Sequence, residues 1–167
     1  MQKALYERYA AKLLLVCLRY TQHKTDAEDI LQEGFIKIFS HIHQFNFTGN
    51  FEGWLRMIVV NAALEHIRKK KISFTDIETF ETEIIASNNY NTLSHLELKE
   101  LLQLIQQLPE GCKIIFNLYV FEQLTHKEIA EKLNISEGTS KSQLSRARQL
   151  LQDKIEPKKS NIKYSKI

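Results

Sequence analysis

The stretch Leu124–Leu151, LTHKEIAEKLNISEGTSKSQLSRARQLL, decides how the rest of the chain is read. Its spacing predicts two short amphipathic helices around a tight turn. Thr125 caps the first helix, and Glu128 three residues on completes a Thr-x-x-Glu capping box. Ile129, Ala130 and Leu133 give that helix an apolar face at the 3.6-residue period. Asn134 stands where the chain must leave the helix, and Asn tolerates the left-handed backbone better than most residues. Ser136 caps the second helix, with Glu137 near its positive end. Along the second helix Ser140, Leu144, Ala147 and Leu151 share one side. Gly138, Ser142, Ser145, Arg146 and Gln149 fall on the other, flanked by Lys141 and Arg148.

The second helix therefore buries a narrow stripe and presents a basic face of small polar residues. An α-helix that enters a major groove needs such a face. Small residues permit close approach, Lys and Arg meet phosphates or guanine edges, and Ser or Gln hydrogen-bond base edges. The plainer reading is a helical hairpin whose basic face is merely solvated.

At 167 residues the chain can hold one medium domain or two small ones with a linker. A hydrophobic content of 43% supports a core, and two prolines with five glycines favour helices over a many-turned β architecture. The two cysteines, Cys17 and Cys112, are isolated and read as buried small residues in a reducing compartment, with neither a disulfide nor a metal site. No apolar run reaches membrane-spanning length, and the mixed charge of the N-terminus argues against a signal peptide, so the expectation is a soluble cytoplasmic protein. Charge is segregated. Residues 1–71 carry 11 basic and 7 acidic side chains, residues 72–100 carry 1 and 6, and residues 101–167 carry 11 and 7. Two basic lobes flank an acidic strip, as expected for two polyanion-facing surfaces and a connector.

Residues 2–20 place Leu5, Tyr9, Leu13, Val16 and Tyr20 on one helical face. Thr25 or Asp26 is expected to cap a second helix over Ala27–Ile42, with Leu31, Phe35, Ile38 and Ile42 inward and Asp29, Gln32, Glu33 and Lys37 outward. FNFTGNF (Phe45–Phe51) breaks the pattern with three aromatics among Asn, Thr and Gly. They either plug a helix junction or form a pocket that stacks an unpaired base. From Glu52 or Gly53 a long helix runs to about Lys71, with Trp54, Leu55, Ile58, Ala62 and Ile67 inward and Asn61, Arg68, Lys69 and Lys70 outward. Residues 72–97 lose periodicity and read as an acidic, flexible linker. A helix resumes near Leu96 and runs to Leu108, Pro109–Gly111 makes a turn, and Cys112–Phe121 is a strongly apolar helix. Residues 156–167 are a basic tail.

Taken together, the chain resembles the extracytoplasmic-function (ECF) sigma factors, the small two-domain members of the bacterial sigma family. DAEDILQEGFIKIF (Asp26–Phe39) is similar to the family's region 2.2. FNFTGNFEGWLRMIVVNAALEHIRKK (Phe45–Lys70) is similar to regions 2.3 and 2.4, and Leu108–Leu151 is similar to region 4. The resemblance implies an all-α fold of two small helical domains, sigma region 2 over 1–71 and sigma region 4 with its helix-turn-helix over 98–155, joined by the 72–97 linker. It implies no enzymatic activity, no cofactor and no metal. It implies that Asp29, Gln32 and Glu33 dock on the clamp helices of the largest core RNA polymerase subunit, with a further contact to the flap region. Phe45, Asn46, Phe47 and Phe51 would capture a flipped base of the promoter −10 element, Asn61 would contact a base, and Arg68, Lys69 and Lys70 would track phosphate. Lys141, Ser142, Ser145, Arg146 and Arg148 would sit in the −35 major groove. An anti-sigma factor is an implied further partner, and there is no membrane insertion.

The sequence departs from the family pattern at its start and at three positions of the recognition helix. Its start looks clipped, Ser140 replaces a usual apolar residue in the recognition helix, and Gln143 and Ser145 stand where Arg and a larger residue are frequent. Competing readings are a stand-alone helix-turn-helix regulator, a degenerate sigma-like interaction protein without promoter binding, and a helical metal-dependent hydrolase using Asp26, Glu28, Asp29, Glu33, His41 and His43.

Overall fold

The computed structural model describes residues 2–69 and 93–155, with side chains from residue 97 onward in the second segment. Every regular element among them is helical: α1 (Gln2–Tyr20), α2 (Lys24–His41), a single 3₁₀ turn (Ile42–Gln44), α3 (Phe51–Lys69), α4 (Leu93–Gln106), α5 (Glu110–Val120), α6 (His126–Leu133) and α7 (Glu137–Ile155). They fall into two compact units, α1–α3 and α4–α7. Lys70, the stretch 70–92 and the tail 156–167 lie outside the described residues.

In the first unit each helix supplies an apolar face. Leu13, Val16, Cys17 and Tyr20 of α1 are buried, as are Ala27, Ile30, Leu31, Gly34, Phe35 and Ile38 of α2. Thr21 closes α1 by donating its hydroxyl to the Cys17 carbonyl at 3.2 Å. Burial pushes the Cys17 thiol up to about 12, so it stays protonated and behaves as a small hydrophobe. The start of α2 differs from expectation. The helix begins at Lys24, with Ala27 N–H donating to the His23 carbonyl at 3.2 Å, so Thr25 and Asp26 lie inside its first turn. Asp26 instead faces His66 of α3 at 3.7 Å. Ile42 lies beyond the helix in the 3₁₀ turn and is exposed rather than inward.

Helix α3 has the largest set of buried residues in this unit. Besides Leu55, Ala62 and Ile67, it buries Val59, Val60, Ala63 and Leu64, because α1 and α2 both pack on it. Single-face periodicity therefore understated its burial. Trp54 and Ile58 are only partly covered. The crossing with α2 is close: a Cβ on Gly34 would stand 2.8 Å from Val59 Cγ2. Val has one strongly preferred rotamer in a helix and cannot swing away.

In the second unit Ile105, Leu108, Cys112, Ile114, Ile115, Leu118, Ile129, Leu133, Leu144, Ala147 and Leu151 are buried. Helix α4 starts at Leu93, within the stretch read as linker and before the expected Leu96. The Pro109–Gly111 turn is also revised. Pro109 is the N-cap residue of α5, its carbonyl accepting from Lys113 N–H at 2.9 Å, and Gly111 is already helical. Proline suits this place because a helix entry has no use for its missing N–H. Sequence periodicity gave no warning that Lys113 is fully buried, its ammonium 3.1 Å from the Glu110 carboxylate.

Gly34→Ala tests the tight crossing. The gain in helix propensity is outweighed by overpacking against Val59, for a net loss of about 1–2 kcal/mol. Thermal unfolding followed by circular dichroism should show the drop, and a Gly34→Ala/Val59→Ala pair should recover part of it.

Candidate nucleic-acid interface

Two surfaces meet the requirements of a nucleic-acid site, one in each unit. The first is α6, the turn and α7. Thr125 N–H donates to Glu128 Oε2 at 2.7 Å, and Glu128 N–H donates to Thr125 Oγ1 at 3.2 Å, so the capping box is closed in both directions. These bonds hold the Glu128 carboxyl below the usual carboxylate range, the backbone bond from Thr125 contributing most. Asn134 adopts the left-handed conformation, φ 55° and ψ 50°, and Ile135 N–H returns to the Ala130 carbonyl at 3.0 Å. Ser136 Oγ accepts from Thr139 N–H at 3.0 Å and opens α7. Each turn residue thus does the local work its side chain suits, and together they fix where α7 starts.

Ser140, Leu144, Ala147 and Leu151 are buried along α7, while Gly138, Lys141, Ser142, Ser145, Arg146, Arg148 and Gln149 are exposed. The proposed groove-facing residues therefore share one uncovered face. Several carry local partners. Lys141 pairs with Glu137 at 3.6 Å, the Ser142 hydroxyl donates to the Thr139 carbonyl at 3.0 Å, and the Arg148 guanidinium carbon stands 5.6 Å from the Tyr119 ring centroid. Gln143 points elsewhere, its amide oxygen accepting from the Cys112 thiol at 3.0 Å.

The second surface is the start and outer stripe of α3. Phe45 lies 5.0 Å from Phe51 and 5.4 Å from Trp54, centroid to centroid, and Phe51 stacks on Trp54 at 5.9 Å with Tyr9 beyond it at 6.1 Å. The aromatic stretch thus splits between its two readings. Phe45 and Phe51 are half-buried in an aromatic cluster that closes the helix junction, whereas Phe47 is 91% exposed. Phe51 is already the first residue of α3, ahead of the expected start. Phe47 also has φ of 56°, in the left-handed region where a bulky side chain is strained, and Gly49 follows at φ 99°. Asn46 is exposed beside it. Asn50, which the sequence reading passed over, accepts from Gly53 N–H at 3.2 Å through its side chain and holds the first turn of α3. Its position just before the helix was the available signal.

Trp54, Asn61 and Arg68 recur at seven-residue spacing on α3 and so share a stripe about 21 Å long. Asn61, Arg68 and Lys69 are exposed, and Glu65 beside them pairs with Lys37 of α2. On α2, Asp29 and Gln32 are exposed and Glu33 half-exposed, around Ile36, which is 65% exposed. No three His, Cys, Asp or Glu side chains among the described residues are grouped to hold a metal ion. No helix among them is long and apolar enough to cross a membrane.

Comparison with known proteins decides between the readings. Residues 5–72 match the Sigma-70 region 2 family and residues 98–151 match Sigma-70, region 4. The chain belongs to the ECF sigma factors. It is 31% identical to the ECF RNA polymerase sigma factor SigM of Bacillus subtilis, over 88% of this chain and 90% of that protein. It is 30% identical to the ECF RNA polymerase sigma-E factor of Haemophilus influenzae, over 92% and 86%. The fold is shared with the sigma factor RpoE of Bartonella quintana, solved with the anti-sigma factor NepR. There the TM-score is 0.59 at 22% identity, covering 92% of this chain and 96% of that one. As an ECF sigma factor the protein binds core RNA polymerase, recognises −35 and −10 promoter elements and promotes DNA melting. The stand-alone regulator is not favoured.

The capping box should make stability pH-dependent. The folded carboxyl of Glu128 titrates below its unfolded value, so its contribution is full above the ordinary carboxylate range and is lost as pH falls through the folded value. Urea melts from pH 7 down to pH 3 should show this loss, and Glu128→Gln should flatten it.

Proposed function

We propose that each step of initiation falls on a separate face of this chain. Asp29, Gln32 and Glu33 of α2 dock on the clamp helices of the largest core subunit. The α4–α7 unit reaches the flap region and lays α7 in the −35 major groove through Lys141, Ser142, Ser145, Arg146 and Arg148. The α1–α3 unit opens the −10 duplex. An unpaired base stacks against Phe47 with Phe45, Phe51 and Asn46 around it, Asn61 contacts a base edge, and Arg68, Lys69 and Lys70 follow the phosphates.

The observation that carries this reading is Phe47. An aromatic ring 91% exposed on a strained backbone, beside a packed aromatic cluster, is a poor structural residue and a ready stacking platform. Base unpairing costs a few kcal/mol, and stacking on a free ring recovers part of it. Phe45 touches the Phe47 ring at 5.6 Å between centroids and is itself packed against Phe51 and Trp54. The chain then works by binding alone, without a catalytic group of its own, and does so in the cytoplasm where core polymerase is found. An anti-sigma factor of the kind seen with the Bartonella relative is the proposed inhibitor.

Run-off transcription from a random-promoter library, with core RNA polymerase present and this protein added or omitted, tests the whole reading. Protein-dependent transcripts should share −35 and −10 motifs at fixed spacing. Phe47→Ala should leave co-elution with core unchanged and reduce permanganate reactivity at −10 about tenfold, the scale of one lost stacking contact. Arg146→Ala should cost about 1–3 kcal/mol of −35 discrimination. Normal melting by Phe47→Ala would refute its role as the platform. Co-elution with core but no dependent transcripts would favour the degenerate interaction protein.

A further inference from the structure

Ser140 is fully buried on the inner stripe of α7. A hydroxyl in that position is costly unless it is hydrogen-bonded. Its partner comes from the first residue of α6: His126 Nδ1 lies 2.9 Å from Ser140 Oγ. The imidazole stacks on Tyr119 of α5, with centroids 4.8 Å apart and planes 26° from parallel. The Arg148 guanidinium of α7 stands 5.6 Å from the centroid of that same Tyr119 ring. Ser140, His126, Tyr119 and Arg148 therefore form one continuous chain of contacts that leaves α7, passes through α6 and α5, and returns to α7.

We propose that His126 and Tyr119 are positioning residues for −35 recognition, gripping the recognition helix at Ser140 and Arg148. Those two points are eight residues apart, or about 12 Å along the axis. Both contacts add direction to an apolar stripe, Leu144, Ala147 and Leu151, that already seats the helix. Lys141, Ser142, Ser145 and Arg146 all lie between the grips, so their approach to a groove is set by the residues on either side. Ser140 can donate to or accept from the imidazole nitrogen, so the link holds in either tautomer of His126. Arg148 is then delivered with its guanidinium already ordered on an aromatic face, which lowers the entropy lost when it meets a base edge in the groove. This inference rests on the reading of α7 as the −35 helix.

The test uses the full-length protein bound to core RNA polymerase. The probes are a duplex recovered by the wild-type holoenzyme from a random pool and a scrambled duplex of equal length. Affinity for each is measured well below the melting temperature of every variant. Ser140→Ala and His126→Ala should each weaken binding of the selected duplex about fivefold to tenfold, the scale of one hydrogen bond, and leave the scrambled duplex unchanged. The double variant should be no worse than His126→Ala, because the two residues act as one unit. Tyr119→Phe, which keeps the ring, should bind as the wild type does, and Tyr119→Leu should lose as much as His126→Ala. Ser140→Ala, the milder change, carries the test if His126→Ala does not fold. Unchanged preference in folded Ser140→Ala and Tyr119→Leu variants would overturn the proposal, as would equal losses on both duplexes. A wild-type holoenzyme with no preferred duplex would instead overturn the reading of α7, and the proposal with it.

Discussion

A DNA-reading helix must be held firmly along one side while the other side stays bare, and in α7 that requirement falls on a stripe of four residues. Leu144 and Leu151 supply most of its apolar area, while Ser140 and Ala147 supply little. Burial of two leucines contributes roughly 3–6 kcal/mol, a modest anchor for a helix of 19 residues with a basic outer face. Fixation has to come from elsewhere. The capping box on α6, the left-handed Asn134 and the Ser136 cap determine where α7 begins, and the apolar α5 lies beneath it. The recognition surface can be polar and open because the turn before it is specified residue by residue.

The first unit meets the opposite problem. Its third helix is buried over more than half its circumference, and the stripe from Trp54 through Asn61 to Arg68, where we place the −10 contact, lies on the side left uncovered. At Gly34 helices α2 and α3 approach too closely for a Cβ. Helix packing alone would tuck the aromatic stretch inward, and Phe45 and Phe51 do go inward. Phe47 does not. Its backbone is strained, and such strain persists only where neighbours over-determine the conformation. The Phe45 ring meets Phe47 in a T-shaped contact, at 5.6 Å between centroids, and links the exposed ring to the cluster.

The helices and their order were legible because each carries an apolar face at helical period, and the turn before α7 was legible to the residue. Capping chemistry is local, so Thr125, Glu128, Asn134 and Ser136 announce themselves in sequence. Features that depend on the partner across a contact were hidden. Lys113 looked like one charge on an apolar helix, and only the fold shows it buried beside Glu110. Val59, Val60, Ala63 and Leu64 fell outside the single inward stripe read from the sequence, and two neighbours cover them. The aromatic stretch allowed two roles, and three-dimensional packing assigned Phe45 and Phe51 to one and left Phe47 for the other. Helix starts moved by one to three residues, and at α2 the expected cap Asp26 lies inside the first turn and faces His66.

Ser140 shows how a departure from a family pattern is resolved in context. Taken by itself, a serine where the family usually places an apolar residue weakens the seat of the recognition helix. In the folded unit its hydroxyl meets His126, so the lost apolar contact is replaced by a polar one. The replacement is different in kind. An apolar contact tolerates small rotations and slides with little loss, whereas a buried hydrogen bond has a preferred direction and length. A serine–histidine pair therefore fixes the rotation of α7 about its axis more tightly than two methyl-bearing side chains of similar size would.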